Sequence, residues 1–122
     1  PGFAPKSIYM TEGINPDGIG DSYAPPHGIE AHGIAVGLPL QLPNQRTIAE
    51  SAWGGPQPVP VPTDGLIGNL GGGNASGVLA QWPISSGDDG HFVIFDVPDA
   101  FDQAAGFLKN LAADPKGKVP AP

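Results

Sequence analysis

Ser76-Gly77-Val78-Leu79-Ala80-Gln81-Trp82 is an apolar run ended by Pro83, and it is too short for a helix with this β-prone content. It reads as a strand. A turn, Asp88-Asp89-Gly90-His91, and a short apolar segment, Phe92 to Phe95, follow it. Pro98 then opens a helix in which Ala100, Phe101, Ala104, Ala105, Phe107, Leu108 and Leu111 recur at three-to-four spacing. Asp99 and Asp102 lie in its first turn, where the helix dipole favours anions, and Lys109 lies toward the other end.

Working outward toward the amino terminus, Ser7-Ile8-Tyr9-Met10-Thr11, bounded by Pro5 and Gly13, reads as a first strand. Glu12 to Gly20 reads as loop, because Asn15-Pro16-Asp17-Gly18 carries turn residues at every position. Ile29, Ile34 and Val36 among Ala31 and Ala35 predict a helix from Pro26 to Val36, with Gly37 placed to cap it. Gly28 and Gly33 weaken such a helix by about 1 kcal/mol each, so packing must hold it. Leu38 to Leu42 alternates Pro with apolar residues, as an edge strand or an extended crossing segment does. Trp53 to Asn74 is a Pro/Gly-rich loop: Pro56, Pro58, Pro60 and Pro62 favour polyproline II, and Gly71-Gly72-Gly73 follows. Pro115 to Pro122 is a polar, Pro-rich tail expected to be mobile or to lie across the surface.

The order strand, acidic loop, helix, long loop, strand, histidine turn, helix is βα-βα, and it calls for a parallel sheet in an α/β fold. Two strands do not make a stable sheet alone, so residues 1–122 are expected to be part of one domain whose sheet is completed elsewhere.

Composition narrows the function classes. The chain has 122 residues and a net charge of −7 with only five Lys and Arg, which removes the clustered cations that nucleic-acid binding needs. Zero cysteines exclude disulfides and thiolate metal sites, and three His without clustered spacing give no pattern for a metal. No run of eighteen apolar residues is present, so no membrane-spanning segment is expected. The start at Pro1 reads as proteolytic processing or an incomplete chain. Together with the lysine-poor, Pro/Gly-rich composition, it leans toward a secreted or periplasmic protein.

The chemistry-bearing residues are Asp21, after the first strand, and His91, after the second. A general base needs a pKa near working pH and a carboxylate that fixes its tautomer. An acid and then a histidine, each on the loop following a parallel strand, meet that requirement. Pro5-Lys6-Ser7-Ile8-Tyr9-Met10-Thr11-Glu12-Gly13, the Asp21-Ser22-Tyr23-Ala24-Pro25-Pro26 segment, and Asp89-Gly90-His91-Phe92 with the following helix through Phe107-Leu108 resemble the C-terminal part of bacterial α/β-hydrolase-fold serine esterases and lipases.

That resemblance implies late parallel strands with covering helices, Asp21 as triad acid and His91 as triad base. It further implies hydrolysis of carboxylic esters and no cofactor. The nucleophile elbow Gly-x-Ser-x-Gly does not occur in the chain, so the resemblance also implies a companion segment or polypeptide carrying the N-terminal part of the fold and the nucleophilic Ser. The Trp53 to Asn74 loop is then expected to line or cover the site.

Two other readings stand beside this one. Gly20-Asp21-Ser22 also resembles the nucleophile block of GDSL-type hydrolases. There Ser22 would attack, Asp88 would orient His91, and Gly73 with Asn74 would serve an oxyanion. Alternatively, the chain is a non-enzymatic structural or binding subunit that uses Trp53, Trp82 and the Val59–Val61 stretch as its contact face. Glu12 and Asp17 are less favoured acids, and His27 and His32 read as solvated helix residues.

Overall fold

The computed structural model describes residues 3–17 and 20–122. Among the described residues there are four strands: β1 (Ile8–Ile14), β2 (Gln41–Leu42), β3 (Val59–Pro60) and β4 (Gly77–Pro83). The helices are α1 (Pro26–Ala35), α2 (Val93–Asp96) and α3 (Pro98–Ala113). Short 3-10 turns occupy Ala49–Trp53, Gly71–Gly73 and Gly90–Phe92. β1 and β4 pair in parallel over their whole length, from Ile8 opposite Gly77 to Ile14 opposite Pro83. β2 and β3 form a second, two-residue parallel pair. The architecture is mixed α/β.

Alternation along β1 and β4 sorts their side chains onto two faces. Tyr9 and Thr11 stand opposite Val78 and Ala80 on one face; Ile8, Met10 and Glu12 stand opposite Gly77, Leu79 and Gln81 on the other. The first face packs under α2 and α3, where Val78, Ala80, Trp82, Val93, Ala100 and Phe107 form one buried cluster edged by Tyr9 and Leu111. Tyr9 and Phe107 meet with ring centroids 5.6 Å apart, and the Tyr9 hydroxyl donates to Gln103 Oε1 at 2.8 Å. Burial pushes the Tyr9 phenol up to about 12, and the nearby polar groups of Trp82 and Thr11 act against it.

The second face packs under α1. Leu38, Leu40, Ile48 and Leu79 are buried there, with Ile8, Met10, Ile29 and Ile34 against them. Gly33 lets α1 come close, since a Cβ at that position would lie 3.2 Å from Leu79 Cδ2. Packing therefore supplies what the two glycines of α1 take away in propensity.

The structure corrects or sharpens the sequence reading in four places. Glu12, Gly13 and Ile14 were expected in a loop; they extend β1 because their backbone continues the ladder opposite Gln81, Trp82 and Pro83. Leu38 to Leu42 is not at an edge of β4 alone: Leu40 bridges Leu79 in parallel, and the Leu79 N–H donates to the Pro39 carbonyl at 3.0 Å, so β4 is flanked on both sides. β4 is accordingly buried through Trp82, whereas the first four residues of β1 are half-buried.

Phe92 to Phe95, expected as a short apolar segment, spans the end of the 3-10 turn and the start of α2. The loop from Trp53 to Asn74 contributes β3, where two of its polyproline-type residues find a partner strand in β2. The tail lies across the surface and is held there. Leu66 and Val119 exchange both backbone hydrogen bonds, at 2.8 and 2.9 Å, and Val119 is wholly buried.

Candidate active site

β1 and β4 run in the same direction, so the loops after Ile14 and after Pro83 emerge side by side at the carboxyl end of the sheet. Close approach of backbone brings them into contact. The Gly90 N–H donates to the Gly20 carbonyl at 3.2 Å. A Cβ on Gly90 would stand 2.5 Å from the Gly13 carbonyl oxygen and 2.9 Å from the Asp21 nitrogen. Only glycine fits between those two backbone segments.

That approach sets Asp21 against His91. His91 Nδ1 and Asp21 Oδ2 lie 3.0 Å apart, so the two residues singled out from sequence form a hydrogen-bonded pair. Asp21 is held from its own loop as well, its Oδ1 accepting from the Tyr23 and Ala24 N–H groups at 2.7 Å each. Burial alone would raise the Asp21 carboxyl. The Ala24 N–H, the His91 ring and the Tyr23 N–H outweigh it and hold the group below the usual range, so it stays an ionised acceptor near neutrality.

With Asp21 on Nδ1, the proton of a neutral imidazole belongs on that nitrogen and the lone pair on Nε2. The His91 side chain is 45% exposed and that of Asp21 10%, which leaves the imidazole open to solvent and the carboxylate behind it. Tyr23 lies over the His91 ring at a centroid separation of 4.7 Å, and Phe92 meets it edge-on at 5.1 Å.

Asp89 caps the 3-10 turn that carries His91, accepting from the His91 N–H at 3.0 Å. The same carboxylate accepts from the Ser22 N–H at 3.0 Å and from the Ser22 hydroxyl. The Ser22 hydroxyl, His91 N–H and Ser22 N–H together hold the Asp89 carboxyl below its ordinary range. This residue was quoted in the Asp-Asp-Gly-His motif but given no part. Its signal was legible, since an Asp directly before Gly-His is a helix-cap residue.

The remaining sequence candidates make no contact with the His91 ring among the described hydrogen bonds. Ser22 is adjacent to it, with its hydroxyl directed to Asp89 rather than to the ring of His91. The Asp88 N–H bonds the Ser85 carbonyl, and Asp17 accepts from the Ser86 hydroxyl at 2.8 Å. Gly73 and Asn74 precede β4 at its amino end, roughly 20 Å along the strand from the His91 loop. Their loop is anchored at that end of the strand, where Asn69 binds Gly77, the first residue of β4, through both its amide atoms. His32 is exposed on α1.

Glu12 belongs to a different network, on the α1 face of the sheet. It accepts from Gln81 Nε2 at 3.1 Å, and Arg46 Nη2 lies 3.8 Å from it and 2.8 Å from Glu30. Burial pushes the Glu12 carboxyl up to about 7; Glu30 adds to this, while Gln81 and Arg46 act against it. Among the described residues, His27, Glu30 and Glu50 bring one ligand atom each within 4.8 Å of one another, the geometry a metal ion could use. Glu30 there already shares its charge with Arg46 through Oε1, which makes the group an ion-pair cluster around α1. No helix among the described residues is long and apolar enough to cross a membrane. Comparison with protein-family models, curated proteins and solved structures finds no match to this chain.

Proposed function

We propose that this chain supplies the acid and base of a Ser-His-Asp triad in a carboxylic ester hydrolase of the α/β-hydrolase type, with the nucleophilic serine on a companion polypeptide. The observation that carries the reading is the 3.0 Å contact of His91 Nδ1 with Asp21, on adjacent loops at the carboxyl end of a parallel strand pair. In the reaction, His91 Nε2 takes the proton from the companion serine as its oxygen attacks the ester carbonyl. Asp21 stabilises the imidazolium, and the imidazolium returns the proton to the departing alkoxide. Water then repeats the sequence on the acyl-enzyme, and serine is regenerated with release of the carboxylic acid. A pair of this kind needs neither metal nor cofactor.

The alternative with Ser22 as nucleophile is less well supported, because the Ser22 hydroxyl is engaged by Asp89. Labelling of the native sample with a fluorophosphonate probe, followed by intact-mass analysis of each polypeptide, tests both. Label on a second polypeptide, lost when His91→Ala is introduced, is the expected result. Label on this 12.4 kDa chain transfers the nucleophile to Ser22, and no label at all, or label indifferent to His91→Ala, leaves the chain a structural or binding subunit.

A further inference from the structure

We infer that Asp89 is a positioning residue, which fastens the loop of Asp21 to the turn of His91 and so fixes the geometry of the acid–base pair. The inference rests on the reading of Asp21 and His91 as acid and base. Each member of the pair sits on a loop of its own, after β1 and after β4. Between those loops the Gly90 N–H to Gly20 carbonyl bond sets only the backbone approach.

One carboxylate does more. Asp89 Oδ1 accepts from the Ser22 N–H and from the His91 N–H, both at 3.0 Å, and Oδ2 accepts from the Ser22 hydroxyl. Ser22 N is bonded to the Asp21 carbonyl carbon, and His91 N to the Cα that bears the imidazole. Asp89 therefore grips both partners at their main chain while their side chains meet at 3.0 Å. Asp88, the preceding carboxylate, makes no such bridge among the hydrogen bonds of the described residues.

A bridge and a simple cap make different demands on position 89. Ser is a good capping residue and keeps the bond to the His91 N–H, but it is too short to reach Ser22. Asn keeps both reach and an acceptor oxygen. The test follows the His91 ring Nδ1–H proton by NMR in the ¹⁵N-labelled chain, with backbone amides of β1 and β4 reporting the fold.

The proton is expected as a slowly exchanging, low-field resonance in the native chain, retained in Asp89→Asn and lost in Asp89→Ser and in the control Asp21→Asn. Retention in Asp89→Ser overturns the inference. Ser22→Ala removes one donor at the surface; it should speed exchange of that proton severalfold and decides the matter if the Asp89 variants fail to fold. An unchanged rate there also overturns it.

In the enzyme assembled with its companion, Asp89→Ser should lower kcat by roughly 10- to 100-fold at unchanged KM, with Asp89→Asn close to native. An unchanged kcat counts against positioning. Should no ester turnover exist, the hydrolase reading falls, while the ring-proton result still decides the role of Asp89.

Discussion

Alanine at position 90 puts the close approach of the two loops to a quantitative test. The added methyl would stand 2.5 Å from the Gly13 oxygen and 2.9 Å from both the Asp21 nitrogen and the Gly20 carbonyl carbon. All three are backbone atoms, so no side-chain rotation relieves the clash and one loop must move. Overpacking of this kind costs about 1–3 kcal/mol, and the rigidity of the obstacle argues for the upper half of that range. Gly90 has no positive φ, so the reduced freedom of the unfolded chain returns about 0.4–1 kcal/mol. The net loss is then about 2 kcal/mol, or a fall in Tm of roughly 6–10 °C for a chain of this size.

Gly28 is the internal control. It lies in α1, and a Cβ there meets nothing within 4 Å, so Gly28→Ala should gain about 0.5–1 kcal/mol from helix propensity. Urea and thermal unfolding of the two variants beside the native chain measure both. A Gly90→Ala protein as stable as the native one, or shifted in the same direction as Gly28→Ala, would refute the contact between the loops that brings Asp21 to His91.

Glu12 predicts a pH effect of definite sign. Its folded value of about 7 lies above the ordinary 4.5, so the native state holds this proton more tightly than the unfolded chain. The contribution is fully present below pH 4.5 and is lost as pH rises through 7; Glu12→Gln should therefore gain stability over the native protein across that interval, read as urea midpoints from pH 4.5 to 8. Asp21 has the opposite sign: its depressed value stabilises the fold above the usual carboxylate range and the benefit fades on acidification, a slope that Asp21→Asn should flatten. Phe107→Ala removes a buried ring that packs on Tyr9 and should cost about 3–5 kcal/mol in chemical denaturation. A loss under 1 kcal/mol would mean that α3 does not seat on the sheet as described.

Much of this arrangement was written in local pattern. The helix from Pro98 was legible because its apolar spacing, its opening proline and its first-turn acids all agree, and the strands at Ile8 and Gly77 because apolar β-prone runs end at Gly and Pro. The Asp21–His91 pair was reachable because parallel strands deliver their following loops to one edge. What escaped was set by partners distant in the chain. Glu12 and Gly13 carry loop-like residue types but are drawn into β1 by Gln81 and Trp82, and Val59 and Pro60 become a strand only because Gln41 and Leu42 lie beside them. Asp89 stood in the sequence only as part of the turn before His91, and its bond to Ser22, sixty-seven residues away, has no local signal.

The short antiparallel bridge between Leu66 and Val119 bears on how the molecule unfolds. The Val119 side chain belongs to the cluster of β4 and α3, Gln103 of α3 donates to the Pro120 carbonyl at 2.7 Å, and the Ser7 hydroxyl just ahead of β1 donates to the Lys116 carbonyl at 2.6 Å. One polar segment thus ties the Pro/Gly-rich loop, the long helix and the first strand together, and it cannot fray without exposing core. The amides of Leu66 and Val119 should exchange with solvent only through global opening, at rates matching those of β4 and far below those of an ordinary chain terminus. The least regular parts of the sequence are in this respect members of the same cooperative unit as its sheet.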